Sequence, residues 1–239
     1  MYTKPVPIEI QIGTLNATDT YKRHKRIYVS LNSVAFIFNQ LISRYAVLET
    51  MLLDYDAFQK SSAPVQPSDR QVFMDITFPK RNNSVVGAAW DIIDWMERLR
   101  KVLSASAGIK KNDDWYRAIM SDLPQVEEVR HFLQHFDCQI RKLVDGSYPL
   151  MGSVIARYPL ENGSYTRILM STPIRYADDN KILVRGFVVP IAMEGDVDCI
   201  VLSIAEKWIN ISLLMTSLRK AQKRFAQYLL DKYNCPWPD

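Results

Sequence analysis

Cysteine is scarce in this chain: three in 239 residues, Cys138, Cys199 and Cys235, widely spaced and odd in number. That argues against a disulfide framework and leaves no pair at metal-ligand spacing, so all three read as reduced thiols. No apolar run approaches the length of a bilayer-spanning helix, and the opening Met1-Tyr-Thr-Lys-Pro-Val-Pro7 lacks the apolar stretch of a secretory signal. The expectation is a soluble protein that stays in the cytoplasm and has no membrane partner. Also missing are a Gly-rich phosphate loop, His-Glu-x-x-His, Gly-x-Ser-x-Gly and any kinase-like set. Nucleotide hydrolysis, zinc proteolysis and serine-hydrolase chemistry therefore lack support, and no metal and no cofactor are expected. The absence of an internal repeat or low-complexity block argues against solenoids and propellers.

What is present is an ordinary globular balance, 48% apolar and 23% charged, which points to neither disorder nor a membrane protein. The net charge of +4 is mildly basic and compatible with a polyanionic partner. The length suits one domain, residues 1–239, carrying an insertion. Ile8-Glu-Ile-Gln-Ile12 alternates in the period of a half-buried strand, which makes 8–12 a short N-terminal strand. From Leu31, with Ser30 as its cap, the apolar residues Val34, Phe38, Leu41, Tyr45, Leu48, Leu52 and Tyr55 recur at steps of three and four, the seam of a long amphipathic helix. The prolines and small polar residues of Ser61 to Asp69 read as a surface linker.

A second helix is predicted to open near Asn83 or Ser84, with Val85, Ala89, Ile92, Ile93, Met96, Leu99 and Leu103 on its seam and Trp90 and Trp95 flanking it. A short helix follows around Trp115 to Met120, and Pro124 opens a third whose seam is Val126, Val129, Leu133, Phe136, Ile140 and Leu143, ended by Asp145-Gly146. Between Tyr148 and Val201 the helical period disappears. The β-rich runs Tyr165 to Met170 and Ile182 to Val189 alternate there with turn signals and predict two or three antiparallel strands. The last helix is predicted from about Ser203 to Tyr233, with Ile204, Trp208, Ile211, Met215, Leu218, Phe225 and Leu229 on its seam. The fold expected is mainly α: a four-helix up-and-down bundle, residues 31–146 and 203–233, with a small antiparallel β insertion, 148–201, before the last helix. Narrow stripes leave polar flanks free for a partner, so a homodimer is expected.

One constellation carries chemistry. On the third helix the sequence reads Glu127-Glu-Val-Arg130-His131-Phe-Leu-Gln-His135-Phe-Asp137. An Arg, a polar residue, a short spacer and a His on a helical bundle resemble the signature of the HEPN superfamily. Many of its members are metal-independent ribonucleases of toxin, antiviral and RNA-processing systems. The resemblance covers the motif and a bundle of roughly half the chain, and it implies that two protomers bring their motifs together into one composite site. Here Arg130, His131 and His135 fill the three places; His131 departs from the Asn commonest at the second, and the strand insertion is not part of a minimal bundle.

The residue types suit that chemistry. Cleaving RNA without a metal needs a base near neutral pKa to take the proton of the ribose 2′-hydroxyl, a role for His135. A forked, permanently charged guanidinium holds two phosphoryl oxygens at once, a role for Arg130. His131 then orients the phosphate or protonates the leaving 5′-oxygen. On a helical wheel Arg130 lies at the border of the apolar seam and both histidines lie on the polar side, so neither is a core residue.

Blander readings stand beside this one. Arg130 can pair with Glu127 and Asp137 with Arg141, which makes an ordinary solvated helix face. Lys22, Arg23, Lys25 and Arg26, bracketed by Tyr21 and Tyr28, are candidates for lying along a phosphate backbone, or else form a solvated loop ahead of the first helix. Arg219, Lys220, Lys223 and Arg224 form a second basic patch. Asp91, Asp94 and Glu97 are an acidic helix face. Two functions follow: an RNA-directed HEPN-like protein acting as a metal-independent endoribonuclease, or a non-catalytic bundle that binds a protein or RNA partner.

Overall fold

A computed structural model describes residues 20–61, 67–145, 151–159, 165–171, 199–205 and 207–233; within them it describes the side chains of 25–27, 29–54, 81–135, 137–141, 151–156, 199–205 and 207–232. The expected strand at 8–12 and the β-rich run 182–189 lie outside these residues, as do the side chains of Tyr55, Phe136 and Leu143. The order of elements is α1 (Thr20–Ser61), α2 (Pro67–Ala105), α3 (Asp114–Asp122), α4 (Pro124–Gln134), α5 (Phe136–Asp145), β1 (Ser153–Pro159), β2 (Tyr165–Ser171), β3 (Cys199–Ile204), β4 (Lys207–Asn210) and α6 (Ile211–Tyr233). The fold is mainly α, with a small antiparallel sheet ahead of the last helix.

The seams read from the sequence for the first two helices form the core, whereas Ile140 and Trp208, read as seam residues of the third and last helices, are exposed. Leu31, Val34, Phe38, Leu41, Tyr45, Leu48 and Leu52 of α1 are buried against Val85, Ala89, Ile92, Ile93, Met96, Leu99 and Leu103 of α2, and Val126 and Val129 of α4 join them. α1 and α2 run antiparallel: the Ala107 N–H just beyond α2 donates to Ser30 near the start of α1, and Arg44 pairs with Asp91 further along. Ser30 thus receives the backbone after α2 and lies inside α1, where a cap was expected. α6 closes the remaining side. Its Phe225 packs on Phe38 and on Trp115 of α3, ring centroids 5.9 and 5.7 Å apart, and Tyr228 donates to the Gly108 carbonyl. Burial of this aromatic group, about 150–250 Å² for each ring, locks the two ends of the described chain together.

Four boundaries differ from expectation. α1 begins at Thr20, so residues 22–26 are helical rather than a loop. α2 begins at Pro67 and runs through Pro79, although an interior proline ordinarily ends a helix. The third helix is two: His135 has φ −107° and ψ 36°, and separates α4 from α5. Its N–H still donates to the His131 carbonyl, and its own carbonyl accepts from Cys138 and Gln139, so the chain bends without losing contact with itself. Finally, residues 203–205 and 207–210 belong to a hairpin and not to the start of the last helix. β3 pairs antiparallel with β4 through Leu202 opposite Ile209 and Ser203 opposite Trp208, across a turn where Ala205 adopts φ 50°.

The sheet has the order β2-β1-β3-β4, every pair antiparallel. Alternation sends Val154, Ala156, Ile200, Leu202 and Ile209 into the helical core and gathers Ile155, Cys199 and Val201 on the other face. Polar contacts help dock it. The Trp90 indole N–H donates to the Met151 carbonyl at 2.8 Å, and Ser212 accepts the Ile200 N–H at 2.8 Å while bonding the Tyr45 hydroxyl at 2.9 Å. Burial raises the Tyr45 phenol to about 12, opposed by its bond to Ser212.

Candidate functional site

α4 is an eleven-residue helix opened by Pro124, with Val126, Val129 and Phe132 facing the core. That face fixes where its polar residues go. Arg130, one position past Val129, emerges at the border and turns toward α2, where its Nε donates to Asp94 Oδ1 at 2.6 Å. The Arg130 side chain is three-quarters covered, and that of Asp94 is half exposed. His131 and His135, four residues apart, sit on the outer face, both exposed, with ring centroids 4.3 Å apart and planes inclined at 56°. The fold therefore brings the two histidines together and separates Arg130 from them: among the described residues the Arg130 guanidinium has Asp94 as its hydrogen-bond partner and no bond to either ring.

Neighbouring charges complete the picture. Glu128, one turn before His131, accepts from Lys207 Nζ of β4 at 3.1 Å, which brings the sheet edge alongside the histidine face. Sequence reasoning missed Lys207, because it is 79 residues away and lay in a stretch read as helix. Glu127 does not reach Arg130; it pairs at 3.0 Å with Arg100, whose other bonds go to Glu97. Asp137 and Arg141 form no ion pair among the described residues. Burial works against charge on Glu97, but Arg100 and Lys101 outweigh it and hold its carboxyl below the usual glutamate value.

The acidic face of α2 is thus consumed by cations: Asp91 by Arg44, Asp94 by Arg130, Glu97 by Arg100 and Lys101. No group of three potential metal ligands occurs among the described residues. Of the N-terminal basic candidates, Lys25 and Arg26 are exposed on the early turns of α1, and the side chains of Lys22 and Arg23 lie outside the described set. They are far from the histidines. Ser30 is level with Ala107 and Arg130 with Asp94, so the cluster and the histidine pair are separated by roughly 25–30 Å along the bundle at 1.5 Å per residue. In the second basic patch Arg219 lies over the Tyr45 ring, its carbon 5.5 Å from the centroid, while Lys220, Lys223 and Arg224 are exposed.

The tryptophans divide by role. Trp90 ties α2 to the sheet, and Trp115 is buried among Tyr116 and Phe225 with its indole nitrogen unpartnered among the described residues. Trp95 sits at the α1–α2 seam, edge-on to Phe36 at 5.8 Å, with the guanidinium carbons of Arg44 and Arg98 at 4.9 and 4.8 Å from its ring. Comparison of the chain with known protein families, curated proteins and solved structures finds no match.

Proposed function

We propose that this is an HEPN-like helical protein with an RNA-directed role, a metal-independent endoribonuclease whose working groups are His131 and His135, with Arg130 recruited from its pair with Asp94. The observation that carries the reading is the exposed histidine pair, rings 4.3 Å apart at the bend that ends α4. Two imidazoles this close suit a step that needs both a base and an acid near neutral pH. His135 takes the 2′-hydroxyl proton, the 2′-oxygen attacks the adjacent phosphorus, and His131 protonates the departing 5′-oxygen. The products are a 2′,3′-cyclic phosphate and a free 5′-hydroxyl. Arg130 meets the phosphoryl oxygens by exchanging Asp94 for them, and a second protomer supplies the opposite wall of the cleft.

The test is the full chain with 5′-labelled single-stranded RNA in excess EDTA. Cleavage leaving cyclic-phosphate ends, lost in His135→Ala and in Arg130→Ala, supports the reading. RNA bound but never cut, with His135→Ala indistinguishable from wild type, favours the second reading, a non-catalytic bundle. The Arg130–Asp94 pair is the observation on that side, since it occupies the guanidinium. Failure to bind RNA at all overturns the RNA-directed role.

A further inference from the structure

His131-Phe-Leu-Gln-His135 has the spacing at which two imidazoles on one helix face can hold a single transition-metal ion. The backbone beneath both rings is fixed. The His135 N–H donates to the His131 carbonyl at 3.1 Å, and the His135 carbonyl accepts from Cys138 and Gln139, although α4 ends there. Both side chains are exposed, and neither has a hydrogen-bond or ion-pair partner among the described residues. The lone pairs of the neutral rings therefore face only solvent.

The ring separation fits a shared ion. With metal–nitrogen bonds of about 2.0–2.1 Å and each ring centroid about 1.1 Å behind its nitrogen, two coordinating imidazoles have centroids about 4.5 Å apart at a right-angled site. At a tetrahedral site the same lengths give about 5.2 Å. The observed 4.3 Å is within a few tenths of the first, and the 56° between the planes excludes a parallel stack, in which the lone pairs could not converge. Turning exposed rings about χ2 costs little. No third protein ligand joins them. Glu128, one turn earlier, is engaged by Lys207 at 3.1 Å, and no group of three potential ligands occurs among the described residues.

We infer that His131 and His135 together chelate one divalent transition-metal ion of the imidazole-preferring class, zinc, nickel or copper, with water in the remaining positions. Neutral imidazole suits these ions, and two donors fixed on one helix bind as a preorganised chelate. The ion also regulates. A nitrogen lone pair bound to a metal cannot accept the ribose 2′-hydroxyl proton, so the occupied pair is switched off as a nuclease. That consequence rests on the proposed cleavage; the binding itself does not.

The experiment is isothermal titration calorimetry of the metal-stripped full chain with Zn²⁺ and Ni²⁺, with Mg²⁺ as the oxygen-preferring control and circular dichroism to confirm helix content. Wild type takes up one Zn²⁺ or one Ni²⁺ and no Mg²⁺. His131→Ala and His135→Ala each weaken binding about tenfold or more, and the double variant abolishes it. His24→Ala and Cys138→Ser leave it unchanged. The site is overturned if either single variant binds within about twofold of wild type, since one imidazole would then suffice, or if Cys138→Ser abolishes binding. In the labelled-RNA assay, saturating Zn²⁺ stops cleavage and excess EDTA restores it. Cleavage that bound zinc leaves unchanged or accelerates overturns the regulation. A chain that binds zinc through both histidines but never cuts RNA overturns the nuclease reading and the regulation with it, while the metal site stands.

Discussion

Arg130 of α4 donates to Asp94 of α2 at 2.6 Å, across 36 residues of sequence. The pair pins the bend-bearing helix to the bundle and gives Arg130 its direction. Any anion that uses this guanidinium has to compete with the Asp94 carboxylate.

On the proposed RNA-directed role, Asp94→Ala should therefore tighten RNA binding while Arg130→Ala loosens it. The stability change for Asp94→Ala should stay below about 1 kcal/mol, since the pair is partly exposed. Fluorescence anisotropy with labelled RNA, alongside urea denaturation, checks both. Loss of affinity in Asp94→Ala would mean that the carboxylate positions Arg130 instead of restraining it.

Gly152 precedes β1 with φ +82°, and a Cβ there would stand 2.3 Å from the Ser203 carbonyl oxygen of β3. Gly152→Ala combines a disfavoured backbone region with a collision against backbone of a paired strand. It should cost about 3 kcal/mol or more, lowering the urea midpoint with little change in slope. A midpoint equal to wild type would show that β1 can shift off β3 freely.

Glu97 is 3% exposed and its carboxyl is held below the ordinary 4.5 by Arg100 and Lys101 against the opposing effect of burial. A folded-state pKa below the unfolded one means that protons favour the unfolded chain. The contribution is complete above about 4.5 and is lost as the pH falls through the lower folded value. Urea unfolding measured from pH 7 down to pH 3 should show wild type losing stability faster than Glu97→Gln in the acid range. Parallel curves would assign the acid sensitivity elsewhere.

The core was legible because a bundle writes its seam directly into residue spacing: Val34 through Leu52 and Val85 through Leu103 are buried where the steps of three and four put them. Helix ends were not. The early turns of α1 lie ahead of that seam, and α2 starts at Pro67, well ahead of the Asn83 or Ser84 where its seam begins. The bend at His135 has no glycine or proline to announce it. Ile204, Trp208 and Ile211 mimic a helical seam at steps of four and three, yet the first two belong to a hairpin, since short apolar runs fit either period. At the candidate site, the border position of Arg130 and the outward histidines could be read from a wheel. That Asp94 claims Arg130, and Lys207 claims Glu128, could not, because both partners come from distant parts of the chain.

The single hydroxyl of Ser212, held by Tyr45 and by the Ile200 N–H, joins three segments, and its bond to Tyr45 spans 167 residues. During synthesis the apolar side of α1 is made before any other described element and acquires its α6 cover last. A nascent chain therefore keeps the α6 side of Phe38 uncovered until Phe225 arrives, and for that interval its fate depends on how soon α6 follows and on what else will shelter that side of the helix.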